Sequence, residues 1–217
     1  MEFKIDIKIF LIALIFLLVN QIYMYILFMI FAIVHECFHL LTGICLGYKV
    51  KSIRIMPLGL SIAFHEREEE YNTKIRKSNY NNLKKIVILL MGPISNIIIA
   101  FFFMFLNMAE PVYINVLIAI FNLLPIYPLD GGQILNRVLR IIYGNFEAYK
   151  ISNSINNIIM SIITALASIG LLYTKNIAII FIIIFLWYLT IKENKKYKEI
   201  RKYFKYFHYR FTIDMSQ

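Results

Sequence analysis

Two stretches of an otherwise apolar chain hold the residue types that perform chemistry. The first reads His35-Glu36-Cys37-Phe38-His39. On a helix, residues four apart share a face, so both imidazoles can point at one metal ion, with Glu36 one step round and within reach of a water on that metal. The alternative is a pair of histidines packed between helices beside a buried glutamate. A catalytic zinc takes three protein ligands, and the third is commonly a carboxylate or another His. Of the 13 acidic residues, Asp6 lies near the start of the first apolar run, and only Glu36 and Asp130 fall within, or at the edge of, the later ones. Asp130 lies in the second stretch, Asn122-Leu123-Leu124-Pro125-Ile126-Tyr127-Pro128-Leu129-Asp130-Gly131-Gly132. Two prolines remove helix hydrogen bonds and two glycines release the backbone, so an apolar run should unwind here. Unwound backbone at membrane depth is tolerated only where it is buried in protein or lines a cavity. Asp130 also suits the N-cap of the amphipathic segment that follows, Gln133 to Tyr143, and a carboxylate with two oxygens can fill both roles.

The elements that must position these residues are membrane spans. The 217-residue chain is 60% hydrophobic and 17% charged, against about 45–50% and about 25% in soluble domains. Disorder needs low hydrophobicity and is excluded; 8 Gly, 5 Pro and 2 Cys exclude collagen-like and disulfide-stapled scaffolds. The expected fold is an all-α polytopic membrane protein with six transmembrane helices, at about 3–19, 22–46, 86–107, 112–129, 155–173 and 177–191. These make a membrane domain over 1–191, followed by a basic, aromatic tail over 192–217. No small-x-small cleavage site follows the first apolar run, so it reads as a span and not a signal peptide. Between spans two and three, residues 50–64 alternate with period two around Pro57-Leu58-Gly59, the pattern of a small re-entrant β-hairpin. Glu66 to Lys85 is charged and reads as a cytosolic loop.

The net charge of +10 has a direction. Six spans put both termini, 47–85 and 130–153 on one face; 22 of the 23 basic residues lie there and only Lys175 lies opposite. Basic residues stay cytoplasmic, so both termini are expected in the cytosol. The tail mixes eight basic residues with Tyr197, Tyr203, Phe204, Tyr206, Phe207 and Tyr209. Directly after a span, it reads as a segment lying on anionic lipid headgroups, with no nucleic acid as partner. Cys37 and Cys45, eight apart on one helix, cannot pair with each other. His65 and His208, in loop and tail, read as solvent-facing.

His35-Glu36-x-x-His39 in one span, with Asn122-x-x-Pro125-x-x-Pro128-x-Asp130-Gly131 in a later one, resembles the site-2 protease family of intramembrane zinc metalloproteases. Gly92-Pro93-Ile94-Ser95-Asn96, opening the third span, resembles another signature of that family. The resemblance covers about residues 25–145. The six-span plan and small size look most like the stage IV sporulation protein FB branch. The resemblance implies one Zn²⁺ per chain held by His35, His39 and Asp130, Glu36 as catalytic base, and Asn122 lining the substrate site. It further implies cleavage of a membrane-associated protein near the cytosolic face, with a pro-sigma factor as substrate and small membrane inhibitor proteins as partners. The expected location is a bacterial cell membrane or the outer forespore membrane. Two departures stand out. Cys37 and Phe38 replace the small or aliphatic residues common between the histidines. The 26 residues after Ile191 are too few for the nucleotide-sensing domain that the sporulation branch often carries. The rival expectation is a non-proteolytic zinc-binding membrane protein, a sensor or transporter, which needs the metal ligands but not Glu36 as a base.

Overall fold

The computed structural model describes residues 2–5, 14, 17, 18, 20, 22–56, 59–64, 75–174 and 178–214. They divide into two compact units, Met1–Leu124 and Pro125–Gln217.

In the first unit, helix α1 spans Ile22–Cys45 and is apolar on every side. Its buried residues Tyr25, Phe31, Ala32, His35, His39 and Gly43 recur at spacings of three, four and seven, one stripe of the helix. Outside that stripe Ile26, Ile30, Leu41 and Ile44 are exposed, a pattern that suits lipid and would be a liability in water. The helix ends at Gly47, in the left-handed region at φ 82°. The Tyr48 N–H bonds the Gly43 carbonyl at 2.9 Å and the Gly47 N–H bonds the Ile44 carbonyl at 2.9 Å. This is a Schellman close, which satisfies the last carbonyls and turns the chain into the next strand.

Strands β1 (Glu2–Ile5), β2 (Val50–Met56) and β3 (Gly59–Phe64) form one sheet in that order. The β2–β3 pair is antiparallel, from Val50↔Phe64 to Met56↔Gly59, with a register shift between Val50 and Ser52. The expected hairpin is therefore present; Pro57 and Leu58 at its tip lie outside the described residues. A third strand was not expected: β1 pairs parallel with β2 in the register Glu2↔Ser52. The sheet packs on α1 through β3. Gly43 permits this, since a Cβ there would overlap the Phe64 ring.

Helix α2, Ile75–Phe105, contains Pro93 and folds back through Leu106–Met108 into α3, Ala109–Leu123. The reversal is a second Schellman close. Asn107 takes φ 55°, and the Met108 N–H bonds the Phe103 carbonyl at 3.1 Å; after glycine, Asn is the residue that tolerates this conformation best. Helices α1, α2 and α3 pack on one another. Small buried residues (Ala32, Ala100, Ala119) allow close approach, and Phe31 meets Phe103 edge-on at 5.7 Å.

In the second unit, the segment after Leu124 turns at Ile126, whose carbonyl accepts from the Leu129 N–H at 2.9 Å. Gln133 closes the turn with its side chain, Nε2 donating to the Pro128 carbonyl at 2.9 Å. Gly132 is required here, because a Cβ would overlap the Ile126–Tyr127 backbone. Helix α4, Asp130–Thr174, breaks at Gly144 (φ 79°, ψ 174°) and then runs on as a long apolar helix. It pairs with α5, Ala178–Asp214. Polar bonds tie the pair: Asn194 Nδ2 to Asn157 Oδ1 at 3.0 Å, Trp187 Nε1 to Thr164 Oγ1 at 3.1 Å, and the Tyr149 hydroxyl to the Glu193 carboxylate.

Among the described residues, three helices are long and apolar enough to cross a membrane: Ile22–Cys45, Ser78–Phe105 and Glu147–Leu171. They correspond to expected spans two, three and five, with different ends. Span three starts earlier than expected because 75–85, read as a charged loop, is helical. Lys84 in that stretch bonds the Leu46 carbonyl at 3.4 Å, a cation set against the C-terminal end of α1. Expected span four is the 15-residue helix α3, shorter than the roughly 17–25 residues a crossing needs. Residues 3–5, placed at the start of span one, belong to β1, and most of 6–19 lies outside the described residues. Expected span six lies within α5 apart from Ile177, outside the described residues, and α5 continues as helix through the basic tail to Asp214.

Candidate active site

His35 and His39 lie one helical turn apart on the buried stripe of α1, 3% and 6% exposed. Their rings stand nearly perpendicular, interplanar angle 88°, with the two Nε2 atoms 3.1 Å apart. Each Nδ1 faces an oxygen: His39 the Ile88 carbonyl at 2.7 Å, His35 the Asn96 Oδ1 at 2.5 Å. A carbonyl oxygen only accepts, so each Nδ1 carries a hydrogen and each neutral ring leaves its Nε2 lone pair bare. Two Nε2 lone pairs turned toward one another are the donors a metal cation takes. Zn–N bonds of about 2.0–2.1 Å in tetrahedral geometry place two ligand nitrogens about 3.3 Å apart. The observed 3.1 Å fits that spacing, and the oxygen behind each imidazole is the usual orienting partner of a metal-bound His.

Space in front of the nitrogens is made by Gly92 of α2. A Cβ at that position would overlap Cε1 and Nε2 of His39 and Nε2 of His35. The next turn of α2 supplies Ser95, whose hydroxyl donates to the Gly92 carbonyl at 2.6 Å, and Asn96, which is fully buried. The Gly92-Pro93-Ile94-Ser95-Asn96 stretch thus gives the imidazoles both clearance and an orienting oxygen.

The other expected residues take these places. Glu36 is half-buried on α1, one position round from His35. Cys37 is a free, half-buried thiol beside it. Asn122 is half-buried near the end of α3, with Nδ2 bonded to the Ile118 carbonyl at 3.1 Å. Asp130 belongs to the second unit, where it opens α4 and is 8% exposed. His35 and His39 are thus a buried donor pair within the first unit, and Asp130 is a buried carboxylate of the second.

Sequence reasoning did not find the Ile88 carbonyl or Asn115. A backbone oxygen leaves no trace in residue types. Asn115 does leave one, as a carboxamide within the same apolar run as Asn122. It is fully buried and accepts from Asn96 Nδ2 at 2.8 Å.

The family model described as Peptidase family M50 matches residues 23–113 and 108–168. The zinc metalloprotease MJ0392 of Methanocaldococcus jannaschii is 26% identical over 176 residues, covering 79% of this chain and 49% of that protein. The chain thus spans about half the length of that curated relative. A solved structure, the site-2 protease from Methanocaldococcus jannaschii, superposes with a TM-score of 0.63 at 20% identity, covering 89% of this chain and 91% of that one. At that identity the likeness establishes the fold.

Proposed function

The chain belongs to peptidase family M50, and from that membership we propose that it is an intramembrane zinc endopeptidase, cleaving a membrane-associated protein near the cytosolic face. The observation that carries this reading is the pair of Nε2 atoms 3.1 Å apart on a helix long and apolar enough to cross a bilayer, with Glu36 adjacent. In this reading His35, His39 and Asp130 hold one zinc ion, Glu36 is the general base, and Asn122 binds substrate. Zinc bound there supplies polarisation of the scissile carbonyl and a lowered pKa for a water molecule. Glu36 takes the proton of the attacking water and passes it to the leaving amine. Asn122 spends one N–H on the Ile118 carbonyl and keeps a second for the substrate carbonyl oxygen.

A peptide bond inside a helix is shielded, so the substrate has to be held extended. Sheet pairing offers this. β2 is flanked on both sides, whereas the outer edge of β3 carries no strand among the described residues. Single prolines at Ser61, Ile62 and Ala63 test the edge. Where the replaced N–H points away from β2 the sheet loses nothing, yet cleavage should slow by about tenfold, the worth of one hydrogen bond. Unchanged rates at all three positions would remove strand addition from the mechanism.

The resemblance to the sporulation branch supports a pro-sigma factor as substrate and membrane inhibitor proteins as regulators. The distribution of basic residues supports cytosolic termini, and the same resemblance supports a bacterial membrane. The direct test is reconstitution with candidate pro-sigma factors. Chelation should abolish the size shift and stoichiometric zinc should restore it; cleavage that survives complete removal of metal would overturn the assignment.

A further inference from the structure

The two imidazoles are oriented by different means. Behind His39 stands a backbone carbonyl, Ile88, at 2.7 Å, which can only accept and so fixes the ring outright. Behind His35 stands the side chain of Asn96, and a carboxamide has two faces of nearly equal shape. Turned one way it offers oxygen to Nδ1, which then holds the hydrogen and leaves Nε2 bare. Turned the other way it offers N–H, which moves the ring hydrogen to Nε2 and blocks that atom as a ligand.

What decides between the two lies one helix further away. Asn96 Nδ2 donates to Asn115 Oδ1 at 2.8 Å, and Asn115 Nδ2 donates to the Pro111 carbonyl at 2.8 Å. The Pro111 carbonyl can only accept, so it fixes the face of Asn115, which fixes the face of Asn96. Asn96 and Asn115 are both 0% exposed, so no water competes for their bonds. Reversing the chain would set two oxygens against each other at Pro111. Pro111 itself sits in the first turn of α3, where the missing N–H of proline costs no helix bond.

We propose that Asn96 and Asn115 are positioning residues which, anchored on the Pro111 carbonyl, hold His35 in the tautomer with hydrogen on Nδ1 and so keep its Nε2 ready for metal. Asn115 does this without touching either imidazole. The inference deepens the metal-site reading and rests on it for its purpose, but the tautomer itself can be read without metal.

The test uses the full chain in detergent, labelled with ¹⁵N-histidine and stripped of metal, alongside zinc titration of the same samples. The ¹⁵N shifts of His35 should show hydrogen on Nδ1 in the unsubstituted protein. Asn115→Leu should populate the Nε2–H form and weaken zinc binding by about 10–100-fold, the usual effect of losing an outer partner. Asn96→Leu should do the same. Asn96→Asp, which still presents an oxygen to Nδ1, should keep the Nδ1–H form and bind zinc within a few-fold of the parent. That rescue separates an orienting role from simple packing, and the parent tautomer is readable even if a leucine variant does not fold. Hydrogen on Nε2 in the parent, or an Asn115→Leu protein with parental tautomer and affinity, would overturn the proposal. A parent with hydrogen on Nδ1 that takes up no zinc would support the relay and overturn the metal reading alone.

Discussion

Glu36→Gln should lower the cleavage rate by about 10²–10⁴-fold, the range for loss of a general base, while the protein still holds one zinc per chain. Gln has the shape of Glu and keeps a carbonyl oxygen, but its amide does not take up a proton near neutral pH. The proposed metal ligands are untouched: His35 and His39 keep their oxygens at Asn96 and Ile88. The measurement is paired, with metal content by elemental analysis and cleavage of a coexpressed substrate by its change in size. Parental cleavage by the variant would reject Glu36 as the base. The same variant separates an enzyme from a zinc sensor or transporter, since those functions require the donors and no base.

Gly92→Ala is expected to abolish metal binding although it adds a single methyl group. The methyl would enter the space against Nε2 of both histidines. The rings cannot swing aside cheaply, because each is tied at Nδ1. Zinc affinity should fall by more than about 100-fold, beyond the loss typical of an outer partner, and cleavage should fall with it. The backbone effect has the opposite sign: Ala in a helix interior is favoured over Gly by about 1 kcal/mol. That gain offsets only part of the clash with the tethered rings, so the expected signature is a protein that keeps its helical content, loses some thermal stability in the metal-free state, and binds no zinc. Parental zinc affinity in this variant would show that the donors do not converge in front of Gly92.

How much of this was legible in the sequence depends on whether a feature is written in neighbouring residues. The histidine pair was, because four-residue spacing fixes a shared face in any helix. The hairpin was, because alternation about Pro57-Leu58-Gly59 is a local signal, and the structure pairs Val50–Met56 with Gly59–Phe64. Residues 75–85 were misread because their charges suggest a loop, whereas a helix begun in water can carry charge until it enters lipid. The end of the amphipathic segment at Tyr143 was legible, and the structure breaks at Gly144; the helix over 145–154 was not, because that stretch is polar and carries no apolar run. Strand β1 was hidden because Glu2–Ile5 runs straight into an apolar segment, and its partner lies far along the chain. The role of Asn96 is likewise not local, since it depends on residues brought in by α1 and α3.

The parallel pairing of Glu2 with Ser52 also constrains the order of folding. The β2–β3 hairpin is local and can form as soon as Phe64 has been synthesised. β1 has to wait for a partner fifty positions later, with all of α1 in between. Closing a flexible loop of that length costs about 3.5 kcal/mol plus a constant, but insertion of α1 into the bilayer removes much of that freedom beforehand. The first strand in chain order is thus the last to join the sheet. A defect that slows insertion of α1 would leave β2 with an unpaired edge while the rest of the chain is made, and such edges are where wrong partners add.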